Sequence, residues 1–330
     1  MRHGRRVERA APGPFLNLSA SSSLIPVVLL IGIGFIAGRA GWIRLGAIRD
    51  LSNLVFFVLG PALLFRSMSG LHIEQFDFKP SAVFFAAALG LFFGVFLLQG
   101  ASRRGAVLAL AAMYGNLVMI GIPLVGLAYG DAGLATLLPL ISLHALVVLS
   151  IATIVLELAA AREAAVPGSG GHRHIGRTVW LAARNAIIHP VPLPIAAGLL
   201  FAQTGARLPA LVDSPLQLLG NAFGPMALLL VGITLVQTQV GTHLRAALGL
   251  ALLKNLLLPT LVLALGWVVG LAGLALSVMV VAAALPSGAN AFMFSQRYQV
   301  AEELVTASVA VSTALALISL SVVLALLGPA

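Results

Sequence analysis

The chain has 330 residues, 60% of them hydrophobic and 9% charged, with 19 Lys and Arg against 10 Asp and Glu and no cysteine. A soluble domain carries about 25% charged residues, so a chain this apolar is an integral membrane protein and not a soluble enzyme or binding module. The +9 balance does not point to nucleic acid, because the basic residues punctuate the ends of apolar runs as juxtamembrane Lys and Arg do, and the absence of cysteine excludes disulfides, zinc–thiolate sites and thiol chemistry.

A helix needs about 20 apolar residues to cross about 30 Å of hydrocarbon. Residues 1–21 form an Arg-rich tail, and the apolar run from Leu24 reads as a retained first helix. Charges then divide the chain into spans near 22–38, 50–69, 80–101, 105–130 and 133–157. A polar loop follows, containing Pro167-Gly168-Ser169-Gly170-Gly171, and an amphipathic piece at 175–188. Further spans lie near 189–205, 214–237, 246–268, 273–297 and 303–328. The expected organisation is a tail (1–21), a first five-helix half (22–158), a cytoplasmic loop (159–177) and a second five-helix half (178–330), all in one membrane domain.

Five spans per half is an odd number, so the second half enters the membrane inverted relative to the first. Pro26 opens span 1 and Pro190 opens span 6; Gly60-Pro61 in span 2 is matched by Gly224-Pro225 in span 7. Both pairs lie 164 positions apart. This is the pattern of an inverted repeat. Eleven Lys and Arg fall on the side of the 161–177 loop and six on the other, which makes the loop side cytoplasmic. The four tail arginines oppose that count.

Two spans are interrupted. Gly115-Asn116 through Gly121-Ile122-Pro123 breaks span 4, and Pro286-Ser287-Gly288-Ala289-Asn290 breaks span 9. Breaking a helix in lipid strands N–H and C=O groups, which is tolerated only where the break is buried in protein or lines a cavity. Two such breaks in corresponding halves mark a transporter binding site. Pro123 and Pro286 lack an N–H, while Gly115, Gly121 and Gly288 permit unusual backbone angles. The freed N–H groups and the positive end of the following half-helix suit an anion. The amides of Asn116 and Asn290 can donate to a carboxylate, and Ser287 adds a hydroxyl. The bland alternative is a packing kink with an amide tying two helices together.

Four further groups are candidates. Lys254 lies within span 8, where a charge is functional by default, either as a counter-charge to a carboxylate or snorkelling to the interface. His144 in span 5 is either proton-sensitive or a neutral interhelical hydrogen-bonding group. Asn53 in span 2, like Asn221 in span 7, either faces the cavity or bonds a neighbouring helix. Arg66 reads as a snorkelling residue. All ten acidic residues fall in loops or near span ends, so a paired-aspartate sodium/proton antiporter is not expected. No intramembrane catalytic cluster or HExxH motif supports an enzyme, and no charged ring or filter repeat supports a channel.

On the segments Leu54-Val55-Phe56-Phe57-Val58-Leu59-Gly60-Pro61-Ala62-Leu63-Leu64-Phe65, Tyr114-Gly115-Asn116 through Pro123-Leu124, and Leu285-Pro286-Ser287-Gly288-Ala289-Asn290-Ala291-Phe292, the chain resembles the auxin efflux carrier family of bacteria and plants. The resemblance runs from about Leu24 to the end. It implies an all-α integral membrane protein of ten helices in two inverted five-helix repeats. Broken helices 4 and 9 would cross in a transport domain, and spans 1, 2, 6 and 7 would form the scaffold of a homodimer. It further implies elevator-type transport of a small organic carboxylate such as malate, malonate or an auxin-like acid, the alternative being a sodium- or proton-coupled symporter of bile-acid-like or other organic anions. The expected partners are that anion and the lipid bilayer of the bacterial inner membrane, with no cofactor, no metal and no nucleic acid. The short central loop departs from the long one of many plant members.

Overall fold

The computed structural model describes residues 24–44, 46–70, 77–164, 192–236 and 241–327. The basic tail, most of the polar loop and the piece expected at 175–188 lie outside these residues. Every regular element described is helical: α1 (Leu24–Arg39), α2 (Ala47–Ser69), α3 (Lys79–Leu98) and α4 (Arg103–Met113) come first. The helical run Leu117–Ala160 is interrupted at Gly130, whose φ of 62° and ψ of −155° are open to glycine. Its arms are α5 (117–129) and α6 (131–164). Then follow α7 (Pro192–Ala202), α8 (Ala210–Leu235), α9 (Leu244–Val268), α10 (Gly273–Ala284), α11 (Ala289–Tyr298) and α12 (Glu302–Leu327). Among the described residues, α2, α3, the α5–α6 run, α8, α9 and α12 are long and apolar enough to cross a membrane, and α1, α7 and α10 are shorter apolar helices.

Proline chemistry shapes the rods. A proline has no N–H for the carbonyl four residues back, and its ring crowds that carbonyl. Three helices open into a wide π-type turn that ends two residues before a proline: Val55–Leu59 before Pro61, Leu117–Gly121 before Pro123, and Leu253–Leu257 before Pro259. Wide turns of this kind gather at functional sites. Two of these three bear on the site below.

The helices pack in two groups. In the first, α8 lies along α1, α7 along the second half of α2, and α8 also touches α2. These contacts are made backbone to backbone through glycine, which is how helices approach closely in lipid. A Cβ at Gly34 of α1 would sit 2.1 Å from Leu229 O of α8, and one at Gly232 of α8 would sit 2.0 Å from Ile31 O of α1. A Cβ at Gly198 of α7 would sit 2.6 Å from Phe65 O of α2. Gly232→Ala must therefore push α1 and α8 apart. The expected cost is about 1–3 kcal/mol, read as a lower melting temperature; an unchanged melt would contradict this packing.

The second group holds α3 to α6 and α9 to α12. At its centre stand α4 and α10. Every residue from Gly105 to Met113 and from Leu276 to Ala284 is buried, as expected of short helices that are apolar all round. Small residues at their ends, Ala111-Ala112 and Ala282-Ala283-Ala284, let neighbours come close. Ser102 caps α4 by accepting from Gly105 N at 3.0 Å. Glu163, at the end of α6, accepts from both Arg103 N and Arg103 Nε. The backbone N–H first, then the guanidinium, hold its carboxyl below the usual range. Arg66 pairs with Asp213 at 2.7 Å within the first group, so it is an ion-paired residue and not the free snorkelling one expected. The groups meet across an apolar seam where Pro123 of α5 packs on Gly224 of α8.

Candidate functional site

The two interruptions meet. Helix α4 ends at Met113, and Tyr114 turns extended (φ −73°, ψ 114°); α10 ends at Ala284, and Leu285 does the same (φ −58°, ψ 150°). The two extended pieces run antiparallel at Gly115 and Ser287. Asn116 N donates to Pro286 O at 2.8 Å, and Gly288 N donates to Tyr114 O at 2.9 Å. Side chains reinforce the crossing. Ser287 Oγ donates to Ala111 O at 3.0 Å, and Asn290 Nδ2 donates to Tyr114 Oη at 2.6 Å. Gly288 cannot carry a side chain here, since a Cβ would lie 2.9 Å from Tyr114 Cδ1 and 3.1 Å from Gly115 O. Backbone that would be stranded in lipid thus finds partners in the opposite break.

One end of the crossing is closed off. Lys254 and Asn255 are fully buried in the wide turn of α9. Lys254 Nζ donates to Ala283 O and Leu285 O at 2.6 Å each, and Asn255 Nδ2 donates to Ala284 O at 3.1 Å. Of the last carbonyls of α10, which a helix leaves orphaned, those of Ala283 and Ala284 are met in this way, and so is that of Leu285 just beyond. Lys254 Nζ also lies close to Gly115, 3.5 Å from where its Cβ would be.

On the other side Asn116, Val118, Met119 and Asn290 are half-buried. Asn116 caps α5, its Oδ1 accepting from Met119 N at 3.2 Å. Gly121 N reaches back five residues to Asn116 O at 3.1 Å. The N–H groups of Leu117, Val118 and Asn290, and Asn116 Nδ2, have no partner among the described residues. Helices α5 and α11 both begin at the crossing, so two positive helix ends converge there. Uncommitted N–H groups at such ends are suited to an anion.

The expected site residues divide accordingly. Gly115, Asn116, Pro286, Ser287, Gly288 and Asn290 form the crossing, and Lys254 braces it from α9. Gly121 faces Leu285 across it, with a built Cβ 2.8 Å from Leu285 Cδ1, and Pro123 presses on Gly224 in the seam. Asn290 bonds Tyr114 and not Asn116. His144 is buried in an aromatic box, 4.6 Å between ring centroids from Tyr114 and 5.7 Å from Phe84. Neither of its nitrogens has a hydrogen-bond partner among the described residues. Ser142 donates to Leu138 O within its own helix. Asn53 and Asn221 are exposed on α2 and α8 and join no contact of the crossing. Sequence reasoning gave no role to Tyr114, nor any to Ser312 of α12, which is fully buried and bonded to both Asn255 and Ser287.

The family model for membrane transport proteins matches residues 19–324. The chain belongs to this family. Its members include the auxin carriers expected from the sequence, and the chain is therefore a multi-pass transport protein of the plasma membrane and not an enzyme. It is 25% identical over 296 residues to the uncharacterized transporter YfdV of Escherichia coli strain K12, covering 88% of this chain and 91% of that one. It is 24% identical over 301 residues to a putative malonate transporter of Rhizobium meliloti, with the same coverage. Auxin efflux carrier component 8 of Arabidopsis thaliana matches at 24% over 233 residues, covering 59% of this chain and 63% of that protein.

Proposed function

We propose that this protein carries small organic carboxylates, with malonate or malate as the first candidates, and that the crossing of α4–α5 with α10–α11 is the binding site. The carrying observation is the crossing itself: two helix starts bring uncommitted N–H groups and the Asn116 amide to one place. The name of the Rhizobium relative favours a dicarboxylate, and that of the Arabidopsis relative favours an indole acid.

In this reading the ten spans form two inverted repeats, with α4–α5 and α10–α11 as the fourth span of each half. The close contacts of the first helix group support it. Gly34 meets Leu229, and Gly198 meets Phe65. Gly198 lies 164 positions after Gly34 and Leu229 lies 164 after Phe65, the offset that also separates the paired prolines. The first group would be a scaffold, able to pair with a second copy, and the second group would travel past it as an elevator.

Coupling to sodium is disfavoured by Lys254. A small cation at the crossing needs carbonyl oxygens, and those of Ala283 and Leu285 already receive Lys254 Nζ. Purified protein is expected to melt at a higher temperature in malonate, since a ligand of the folded state stabilises it. Proteoliposomes should show saturable malonate counterflow at equal rates in sodium and potassium. No saturable flux with malonate, malate or indole acetate would overturn the carrier reading; flux only in sodium would overturn the cation-independent form of it.

A further inference from the structure

We infer that Ser312, on the last helix, is a positioning residue for the anion site, acting through the backbone of the second break. The inference rests on the carrier reading of the crossing. Ser312 touches none of the groups that would meet the anion. It receives Ser287 N at 2.9 Å and donates its own proton to Asn255 Oδ1 at 2.6 Å. Asn255 Nδ2 in turn donates to Ala284 O at 3.1 Å. The path leaves the break at Ser287 N and returns to it at Ala284 O, three residues earlier.

This closed path stands in for the missing helical bonds. Between Ala284 and Ala289 the chain is not helical, and its shape is set by outside partners. A serine hydroxyl has one proton and can also accept. With that proton committed to Asn255, the Ser312 oxygen remains an acceptor for Ser287 N–H. All three side chains are buried, so no water is at hand to replace a lost member. The splint holds Pro286 O where Asn116 N reaches it and Gly288 N where Tyr114 O receives it. Through these bonds it sets the spacing between the two helix starts. It also makes α12 and α9 part of the site.

The two breaks are consequently unequal. At the second, Ala283 O, Ala284 O, the Ser287 N–H and the Ser287 hydroxyl are committed to protein partners, and Asn290 N is the free donor among the described residues. The first keeps Leu117 N, Val118 N and Asn116 Nδ2 free among the described residues. The second break is the anvil, and the first does most of the holding.

Three variants test this. Ser312→Ala removes the hydroxyl, Ser312→Cys keeps the size with a much weaker donor and acceptor, and Ser312→Thr keeps the oxygen. Malonate binding to folded protein should weaken about tenfold in the Ala and Cys variants, the size expected for loss of one buried hydrogen bond, and stay within about threefold in Thr. Half-saturation of counterflow should rise by the same factor, with the maximal rate per folded molecule little changed. Amide exchange over 284–290 should accelerate in Ala and Cys but not in Thr. Wild-type affinity in Ser312→Cys, or unchanged exchange over 284–290 in Ser312→Ala, would overturn the inference. Should wild-type protein bind no carboxylate, the carrier reading fails, and the exchange measurement still decides whether Ser312 splints the break.

Discussion

Asn116→Ala will abolish carboxylate transport while leaving the protein folded in the membrane. Asn116 does two separable jobs. Its Oδ1 caps α5 through Met119 N, and its Nδ2 points no bond at the protein among the described residues. Losing an N-cap costs about 1 kcal/mol, small beside the 5–15 kcal/mol that typically holds a domain. The free amide is the group an anion would use, so its removal should cost uptake at least tenfold, about the worth of one hydrogen bond to a charged group. Asn116→Asp separates the two jobs. Aspartate caps as well as asparagine and suits the positive helix end, but it places a negative charge where the carboxylate must come. It should melt at or above the wild-type temperature and transport nothing. Counterflow and melting measured on both variants check this; transport by Asn116→Asp at the wild-type rate would falsify the site assignment.

Lys254→Met should do the opposite, harming the fold as well as transport. Methionine retains the stem but not the donor, leaving Ala283 O and Leu285 O without the partner that meets each at 2.6 Å. An unpaired buried polar group costs about 1–3 kcal/mol, so the loss is about 2–6 kcal/mol for the pair. The melting temperature should fall well below that of Asn116→Ala, and malonate counterflow should be lost. Lys254→Arg should not rescue it, because a planar fork is not interchangeable with a compact amine and Gly115 crowds the amine. A melt and a flux like those of wild type in Lys254→Met would mean that this side chain reaches the lipid interface instead.

The sequence marked the breaks because their causes are local. Gly115, Pro123, Pro286 and Gly288 disturb a helix whatever surrounds them, and Lys254 stands out as a charge inside an apolar run. Their partners were not legible. Lys254 is braced by carbonyls 29 and 31 positions away, and nothing local separates that outcome from a stem reaching for the interface. Ser312 is one small polar residue among several on α12, and only the register of α12 against α9 brings it to Asn255. Asn290 found Tyr114 across 176 positions, a pairing set by the antiparallel register and not by anything local. Arg66 found Asp213 at a separation of 147 residues, which turned an expected snorkelling residue into an ion pair. Asn53 stood out in the sequence on residue type alone; its position on α2 leaves it exposed.

The seam between the two helix groups has a mechanical meaning. The long-range polar bonds described above each stay within one group, and at the seam a proline ring rides against a glycine. Surfaces that meet in this way can slip without severing a directional bond, so the resistance to slip is one of roughness. Gly224 leaves Pro123 room, since the nearest ring atoms lie 3.6 and 3.8 Å from where a Cβ would be, an ordinary contact distance. In the elevator reading proposed above, such a seam would set how fast the second group travels without altering how tightly it grips its cargo.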